Sequence, residues 1–113
     1  MKDNGFLRHL LGQEGVVAVV TFGDYGELLG VEGSLDPSSA RLLAFLLTAV
    51  NVNLSLHSEV MERTSGIPFH PFTGWIYRGR DYSLIVSGHY GLVVRNALAS
   101  YDRLVEALEE VQR

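Results

Sequence analysis

The chain has 113 residues, of which 47% are hydrophobic, a net charge of −4 and no cysteine. A chain of this length buries roughly two-thirds of its unfolded surface, so one domain spanning residues 1–113 is expected to fold without cross-links. The absence of cysteine excludes disulfides, thiolate metal sites and thiol nucleophiles on this chain, and the acidic balance disfavours nucleic acid, which binds basic surfaces.

The N-terminal segment is predicted to form a short helix, and the protein is expected to be cytoplasmic. Residues 1–5 lack the basic flank and the apolar core of a signal peptide. Residues 3–12 carry apolar side chains at helical spacing and stop at Gly12, which favours a helix that packs on the rest of the chain.

A buried strand and its hairpin partner follow. Residues 16–22 are apolar or β-branched at every position, which predicts a strand buried on both faces and therefore a helix layer on each side of the sheet. Turn residues lead into a more polar edge strand at residues 27–33. The nearby acids do not match the spacing of a calcium loop, so a solvated turn is favoured over a cation site: Asp24, Glu27, Glu32 and Asp36.

A long helix is predicted over residues 41–63. Residues 50–57 alternate apolar and polar side chains, as a half-buried strand would. Over a longer window, however, polar residues recur at three- and four-residue steps and form one helical stripe: Thr48, Asn51, Ser55, Glu59 and Glu62. Asp36 is expected to cap the helix, with Pro37 at its first position and Gly66 at its end. We therefore interpret the segment as a helix.

Two adjacent apolar stripes follow this helix, and together they exceed what one sheet face covers. One is expected to rest on the sheet: Leu43, Leu47, Val50, Leu54 and Met61. The other, which continues to Val60, is expected to meet its copy in a homodimer, through Leu42, Phe45, Leu46, Ala49, Val52 and Leu56 with Trp75. The longest apolar run, residues 42–50, is far below the roughly 18 to 20 residues of a membrane span, so none is expected.

The second half is predicted to be a three-stranded antiparallel meander followed by a helix. The prolines of the segment 67–72 favour an extended connector. Strands are expected at residues 74–78, 82–87 and 92–95, separated by short turns that contain glycine. A last helix begins at Ser100, and its inward side chains are Leu104, Val105, Leu108 and Val111. The predicted fold class is α+β, with the order α-β-β-α-β-β-β-α.

No catalytic or metal-binding motif is present in the sequence, and no cofactor is expected. The four histidines lie in separate segments without the spacing of a metal pair: His9, His57, His70 and His89. His57 is interpreted as a hydrogen-bonded interface residue, with a buried switch or ligand as the alternative. Ser58 is not a nucleophile signature, since adjacent helical side chains diverge by about 100°.

Two further surfaces are candidates for binding. Arg78 and Arg80 are expected at the rim of the sheet beside Trp75 and Tyr77, a composition favoured at protein interfaces, and an exposed turn is the alternative. Aromatic residues of the connector, Phe69 and Phe72, are expected to border a small pocket with His70, and a structured connector is the alternative.

The segments Gly15–Leu28 and Gly74–Gly88, together with the order of elements, resemble the roadblock/dynein light-chain superfamily, and the second segment is similar to a small uncharacterised prokaryotic family with that fold. The resemblance implies a five-stranded antiparallel sheet, with the long helix on one face and two terminal helices on the other. It also implies homodimerisation through the long helix and an edge strand, and a scaffold role. Implied partners are a small GTPase or a sulfur-oxidation redox complex.

The sequence is compatible with three functions. A non-catalytic homodimeric interaction module is favoured, because the long helix is apolar on too much of its circumference. A small-ligand sensor that uses the connector pocket is the alternative. An enzyme is the third, since catalytic residues that are distant in sequence escape motif searches.

Overall fold

The computed structural model describes residues 4–113, which form three helices and five strands. In chain order these are α1 (Asn4–Leu11), β1 (Val16–Phe22), β2 (Leu28–Gly33), α2 (Pro37–Ser65), β3 (Gly74–Arg78), β4 (Tyr82–Ser87), β5 (Tyr90–Arg95) and α3 (Tyr101–Val111). The predicted order of elements is confirmed. Residue 3, where the first helix was expected to begin, lies outside the described residues.

The five strands form one antiparallel sheet in the order β2-β1-β5-β4-β3. β1 and β5 are central, which explains why β1 is apolar throughout, while β2 and β3 are the edges. The register of β2 on β1 shifts between Thr21 and Phe22, whereas β3 pairs with β4 in unbroken register. The two edges therefore differ: one is bulged and the other is regular.

A separate hydrophobic core lies on each face of the sheet. On one face α1 and α3 pack on the central strands, with Leu10, Leu92 and Leu108 fully buried. On the other face α2 packs through Ala40, Ala44 and Leu47, and Leu47 reaches the backbone of Gly91, where an added Cβ would lie 2.7 Å from its Cδ1. The predicted layering, with the long helix alone on one face, is confirmed.

The ends of α2 follow from local chemistry. The Asp36 Oδ1 atom accepts a hydrogen bond from the Ser39 backbone N–H at 2.9 Å, and Pro37 occupies the first turn, where its missing N–H costs nothing. Gly66 ends the helix in the left-handed conformation, with φ of 75°. The helix has 29 residues and is about 43 Å long, and its sequence-predicted caps are confirmed.

The bounds of several elements differ from the sequence prediction, and α2, for example, spans Pro37–Ser65 instead of residues 41–63. β5 begins at Tyr90 and not at residue 92, because the turn before it contains only Gly88 and His89. Gly88 has φ of 57°, which is a conformation that favours glycine and makes this tight turn accessible. In α3 the buried positions are Leu104, Ala107 and Leu108, so Ala107 joins the predicted inward face.

The Asp36 cap predicts a pH-dependent stability. The hydrogen bond from the Ser39 backbone N–H, followed by the one from its hydroxyl, holds the pKa of the Asp36 carboxyl below its usual 3.8. Because the pKa is lowered in the folded state, the stabilisation is present above pH 3.8 and is lost as the pH falls through the lowered value. Thermal melts should show Asp36→Ala less stable than wild type at pH 7, with the difference shrinking as the pH falls below 3.8. A difference that stays constant with pH would contradict the role of the charge, and Asp36→Asn is the neutral-cap control.

Candidate functional site

The outer face of α2 is an uncovered apolar surface. Six large side chains on this face are each between 53% and 75% exposed, although leucine, valine and phenylalanine are usually interior residues: Leu42, Phe45, Leu46, Val52, Leu56 and Val60. Ala49 is exposed near the middle of the same face. We call these seven residues the outer stripe of α2. They include every α2 residue of the predicted dimer interface.

The outer stripe points away from the sheet. The buried α2 residues Ala40, Ala44, Leu47 and Ser58 lie on the opposite side of the helix, and Ser58 is the only one of them in its C-terminal half. With a period of 3.6 residues, the outer stripe is centred about 180° from these positions. The sheet therefore cannot cover the stripe, whatever the rotamers of its side chains.

By length and composition alone α2 would be able to cross a membrane. Its most apolar 18-residue window has a mean hydropathy of 1.4, and 17% of that window is buried. The expectation of no membrane span, which rested on the short apolar run at residues 42–50, is therefore not confirmed. Polar residues interrupt that run, but the mean hydropathy of the helix stays high. The outer stripe accounts for much of this exposed apolar character.

The polar stripe of α2 holds the helix to the sheet. Asn51 Oδ1 accepts a hydrogen bond from the Trp75 indole N–H at 2.6 Å, and Asn51 Nδ2 donates to the Gly88 carbonyl at 3.1 Å. Glu62 accepts from the backbone N–H of His70 at 2.7 Å, which fixes the connector after α2. Glu59 is the exposed member of the stripe and pairs with Arg63 at 2.8 Å. The middle of α2 is thus bonded to β3 and to the β4–β5 turn.

A groove of about 520 Å³ lies between the C-terminal half of α2 and the connector. Its lining is mainly apolar and includes Leu54, Met61, Phe69, Phe72 and Trp75. Of the three residues that the sequence suggested for a pocket, Phe69 and Phe72 line the groove and His70 does not. His70 is exposed, and its backbone rather than its ring makes the contact to Glu62.

The histidines are not brought together. His57 is exposed in the single chain and lines the connector groove, so it is not buried within one subunit, and its place in an interface stays a prediction. His89 Nε2 lies 2.8 Å from Asp24 Oδ1, and the His89 ring makes an edge contact with Phe22. The side chains of both residues are about half exposed or more. Residues 4–113 contain no group of three or more His, Asp or Glu side chains placed to hold a metal ion.

The three residues of the predicted partner surface are exposed but do not form one patch. Tyr77 is on the same face of β3 as Trp75, the face that α2 covers. Arg78 is on the other face, where its guanidinium lies 5.5 Å from the ring centroid of Tyr101. The expectation that Arg78 sits beside Trp75 and Tyr77 is therefore wrong, because strand alternation sends it to the α3 side.

Arg80 lies in the turn after β3, and its carbonyl accepts a hydrogen bond from Asn96 Nδ2 at 3.1 Å. Asn96 also contacts the Ser83 hydroxyl and the Gly79 carbonyl, so one amide braces this whole corner of the fold. Sequence reasoning missed the bracing role of Asn96, and it placed Asn51 in the polar stripe without predicting the contacts of its side chain. The available signal was an asparagine near a turn, for Asn96, and an asparagine within an apolar helix, for Asn51.

The fold is shared with solved structures of other proteins. The structure superposes on MglB of Myxococcus xanthus with a TM-score of 0.77 and 14% identity, over 95% of this chain and 85% of that one. It superposes on a Roadblock/LC7 domain of Streptomyces avermitilis with a TM-score of 0.75 and 16% identity, over 99% and 96% of the two chains. The chain therefore has the roadblock fold, and the resemblance seen in the sequence is confirmed.

The family follows from the sequence itself. Residues 6–110 match the model of the family described as "Uncharacterized conserved protein (DUF2173)", and the chain belongs to that family. A third similar structure is the gliding protein MglB of Thermus thermophilus, with a TM-score of 0.71 and 18% identity over 95% of this chain and 85% of that one. No curated protein matches the sequence.

Proposed function

We propose that residues 1–113 form a single, non-catalytic interaction module of roadblock type that acts in the cytoplasm as a homodimer. The observation that carries the proposal is the outer stripe of α2, which leaves six large apolar side chains more than half exposed on one face of one helix. An apolar surface of this extent on a small domain is the usual sign of an interface.

A protein partner is favoured over lipid because of how α2 is held. A helix that spans a membrane is surrounded by lipid or by other apolar helices. Here the inner side of α2 is bonded through Asn51 to Trp75 and to Gly88, and it packs through Leu47 on the sheet. Moving α2 from the sheet into a membrane would break both of these hydrogen bonds and expose the core beneath α2. The outer stripe is the face of α2 that the rest of the chain leaves uncovered.

The β3 edge offers a second surface. It pairs with β4 in unbroken register, and its residues Ile76 and Tyr77 are exposed. Regular uncovered edges add strands, whereas a bulge such as the one in the β1–β2 pair discourages addition. The outer stripe points away from the sheet and the β3 edge lies in its plane. We include the β3 edge with the outer stripe of α2 in the proposed homodimer, as the resemblance to roadblock proteins implies for the long helix and an edge strand.

We propose that the homodimer also binds a second, different protein. One solved MglB that this fold resembles, at 17% identity, is described with a tetrameric arrangement. We extend self-association to this chain as part of the proposal, and a small GTPase or a sulfur-oxidation redox complex as partner rests on resemblance alone. Arg78, Arg80 and Tyr77 are the exposed residues that we propose for such a partner.

The connector groove supports a second candidate function. About 520 Å³ is within the range of small-molecule sites, and its apolar lining would suit an apolar ligand. Native mass spectrometry of protein purified from its own host tests this alternative. A retained small molecule that is lost in Phe72→Asp would favour a sensor, whereas bare protein would count against it.

Sedimentation velocity at micromolar concentration tests the homodimer. The expected result is one species of twice the chain mass in aqueous buffer without detergent. A strict monomer would overturn the proposal. Flotation with liposomes tests whether the outer stripe binds lipid instead. Protein that floats with vesicles would show that lipid rather than a second copy covers the outer stripe.

A further inference from the structure

Three arginines lie at one corner of the sheet. Arg78 ends β3, Arg80 lies in the β3–β4 turn, and Arg95 ends β5, where it is paired with Tyr82 of β4. All three arginine side chains are exposed. Among the residues that the structure describes, no carboxylate forms a salt bridge with any of the three. We call these three residues the arginine corner, and their charges are available to a partner.

The arginine corner is a basic part of an acidic chain. Residues 77–82 and 95–102 hold three of the nine basic residues and two of the thirteen acids, Asp81 and Asp102. The rest of the chain therefore holds six basic residues and eleven acids. The local charge is +1, whereas the remainder carries −5. An anionic group is thus attracted to this corner and repelled by the rest of the surface.

A side-chain network centred on Asn96 holds two of the arginines in position. Asn96 Nδ2 donates to the carbonyl oxygens of Gly79 and Arg80 at 2.9 and 3.1 Å, which fixes the turn that carries Arg80. Asn96 Oδ1 also accepts a hydrogen bond from the Tyr101 hydroxyl at 3.3 Å. The centroid of the Tyr101 ring lies 5.5 Å from Cζ of Arg78. Stacking orients a guanidinium without using its N–H donors, so these donors stay available to a ligand.

The spread of the three arginines distinguishes one anion from several. Strand alternation places Arg78 on the α3 face of the sheet and Arg95 on the α2 face. Because β4 lies between β3 and β5, the backbones of these two residues are about 10 Å apart. Guanidinium groups on opposite faces do not converge on a single phosphate or sulfate. A segment with several carboxylates is able to cross the corner and contact each arginine in turn.

We propose that the arginine corner binds an extended acidic segment of a partner protein, with one carboxylate on each of the three guanidinium groups. Arginine binds carboxylates through two parallel N–H···O bonds, which gives these contacts both strength and orientation. The inference rests on the proposed function, because it gives the chemistry of the second protein that the homodimer binds. It extends the proposed partner surface from Arg78 and Arg80 to Arg95, and the neighbouring Tyr82 and Tyr101 are of a type enriched at protein interfaces.

Isothermal titration with hexaglutamate tests the proposal on the whole chain. Six extended residues span about 20 Å, enough to pass around the corner. A chain of net charge −4 repels this peptide as a whole, so binding requires a local basic surface. We expect wild type to bind hexaglutamate in about 0.1 M salt and to lose the binding in about 1 M salt. The double variant Arg78→Gln/Arg80→Gln should bind about tenfold more weakly, since two ion pairs are lost.

Two controls and a competitor make the titration specific. Arg103→Gln removes a charge on α3 beside α1, away from the corner, and should bind hexaglutamate as wild type does. Arg78→Lys keeps the charge but loses the planar fork, so it should bind more weakly than wild type. Circular dichroism reports whether each variant is folded. A folded double variant that binds as tightly as wild type would overturn the proposal. Inorganic phosphate that displaces hexaglutamate at equal concentration would overturn it as well, because it would show a single-anion site.

Sedimentation velocity on the same samples separates this inference from the proposed homodimer. Dimeric wild type that does not bind hexaglutamate would overturn the acidic partner segment alone. Monomeric wild type that binds hexaglutamate through the arginine corner would overturn the homodimer and support the acidic partner segment.

Discussion

Replacing Leu46 with Asp is expected to convert the homodimer into a folded monomer. The Leu46 side chain is 53% exposed in the chain, so an aspartate there is hydrated in the monomer and costs the fold little. In the proposed dimer the same position is enclosed by apolar side chains of the partner subunit, where an unpaired carboxylate is strongly unfavourable. The dissociation constant should rise by about 100-fold or more, as is common for central interface residues.

Sedimentation velocity and thermal melting together check this result. The variant should sediment as a monomer and still show a cooperative melt. Leu98→Asp is a matched control, because Leu98 is also an exposed leucine but lies in the loop before α3. That variant should remain dimeric. Leu46→Asp protein that is still a dimer would show that the outer stripe is not the interface.

Shortening the neighbouring residue, Leu47→Ala, is expected to destabilise the fold rather than the dimer. Leu47 is fully buried between α2 and the sheet and reaches the backbone of Gly91. Removing its branched end leaves a cavity under the middle of α2, so the free energy of unfolding should fall by about 2–5 kcal/mol. Leu47→Asp should be too unstable to purify as folded protein.

Urea unfolding in the monomeric Leu46→Asp background measures this change without a contribution from subunit association. The matched control is Leu46→Ala in the otherwise wild-type chain, studied at a concentration low enough to dissociate dimers, where the loss should stay below about 1 kcal/mol. Equal losses at the two positions would mean that α2 is rotated relative to the sheet from the orientation described above.

The sequence predicted the helix and both of its caps because those signals are local. Asp36, Pro37 and Gly66 act within one turn of the helix ends, and period 3.6 reveals the two apolar stripes without knowledge of the fold. Which stripe faces the sheet is a different question. Leu46 and Leu47 have the same chemistry, and only the small residues Ala40 and Ala44, which allow close approach to the sheet, indicate the inner side.

The contacts that hold α2 in place were beyond the reach of sequence patterns. Asn51 is 24 residues from Trp75 and 37 from Gly88, so neither hydrogen bond leaves a periodic signal. For the same reason the contact between Asp24 and His89 was missed. Arg78 was placed beside Trp75 by proximity along the chain, whereas strand alternation separates them. Distances across the sheet have to come from the structure.

The exposed stripe also bears on how long the protein survives in a cell. A chain that has not met its partner carries an apolar strip of the kind that chaperones bind and quality-control proteases recognise. Chains made in excess would be removed, while assembled ones would be protected. The cellular abundance of this protein would then depend on the concentration of the partner that covers α2. The helix that mediates association would therefore also determine the steady-state level of the protein.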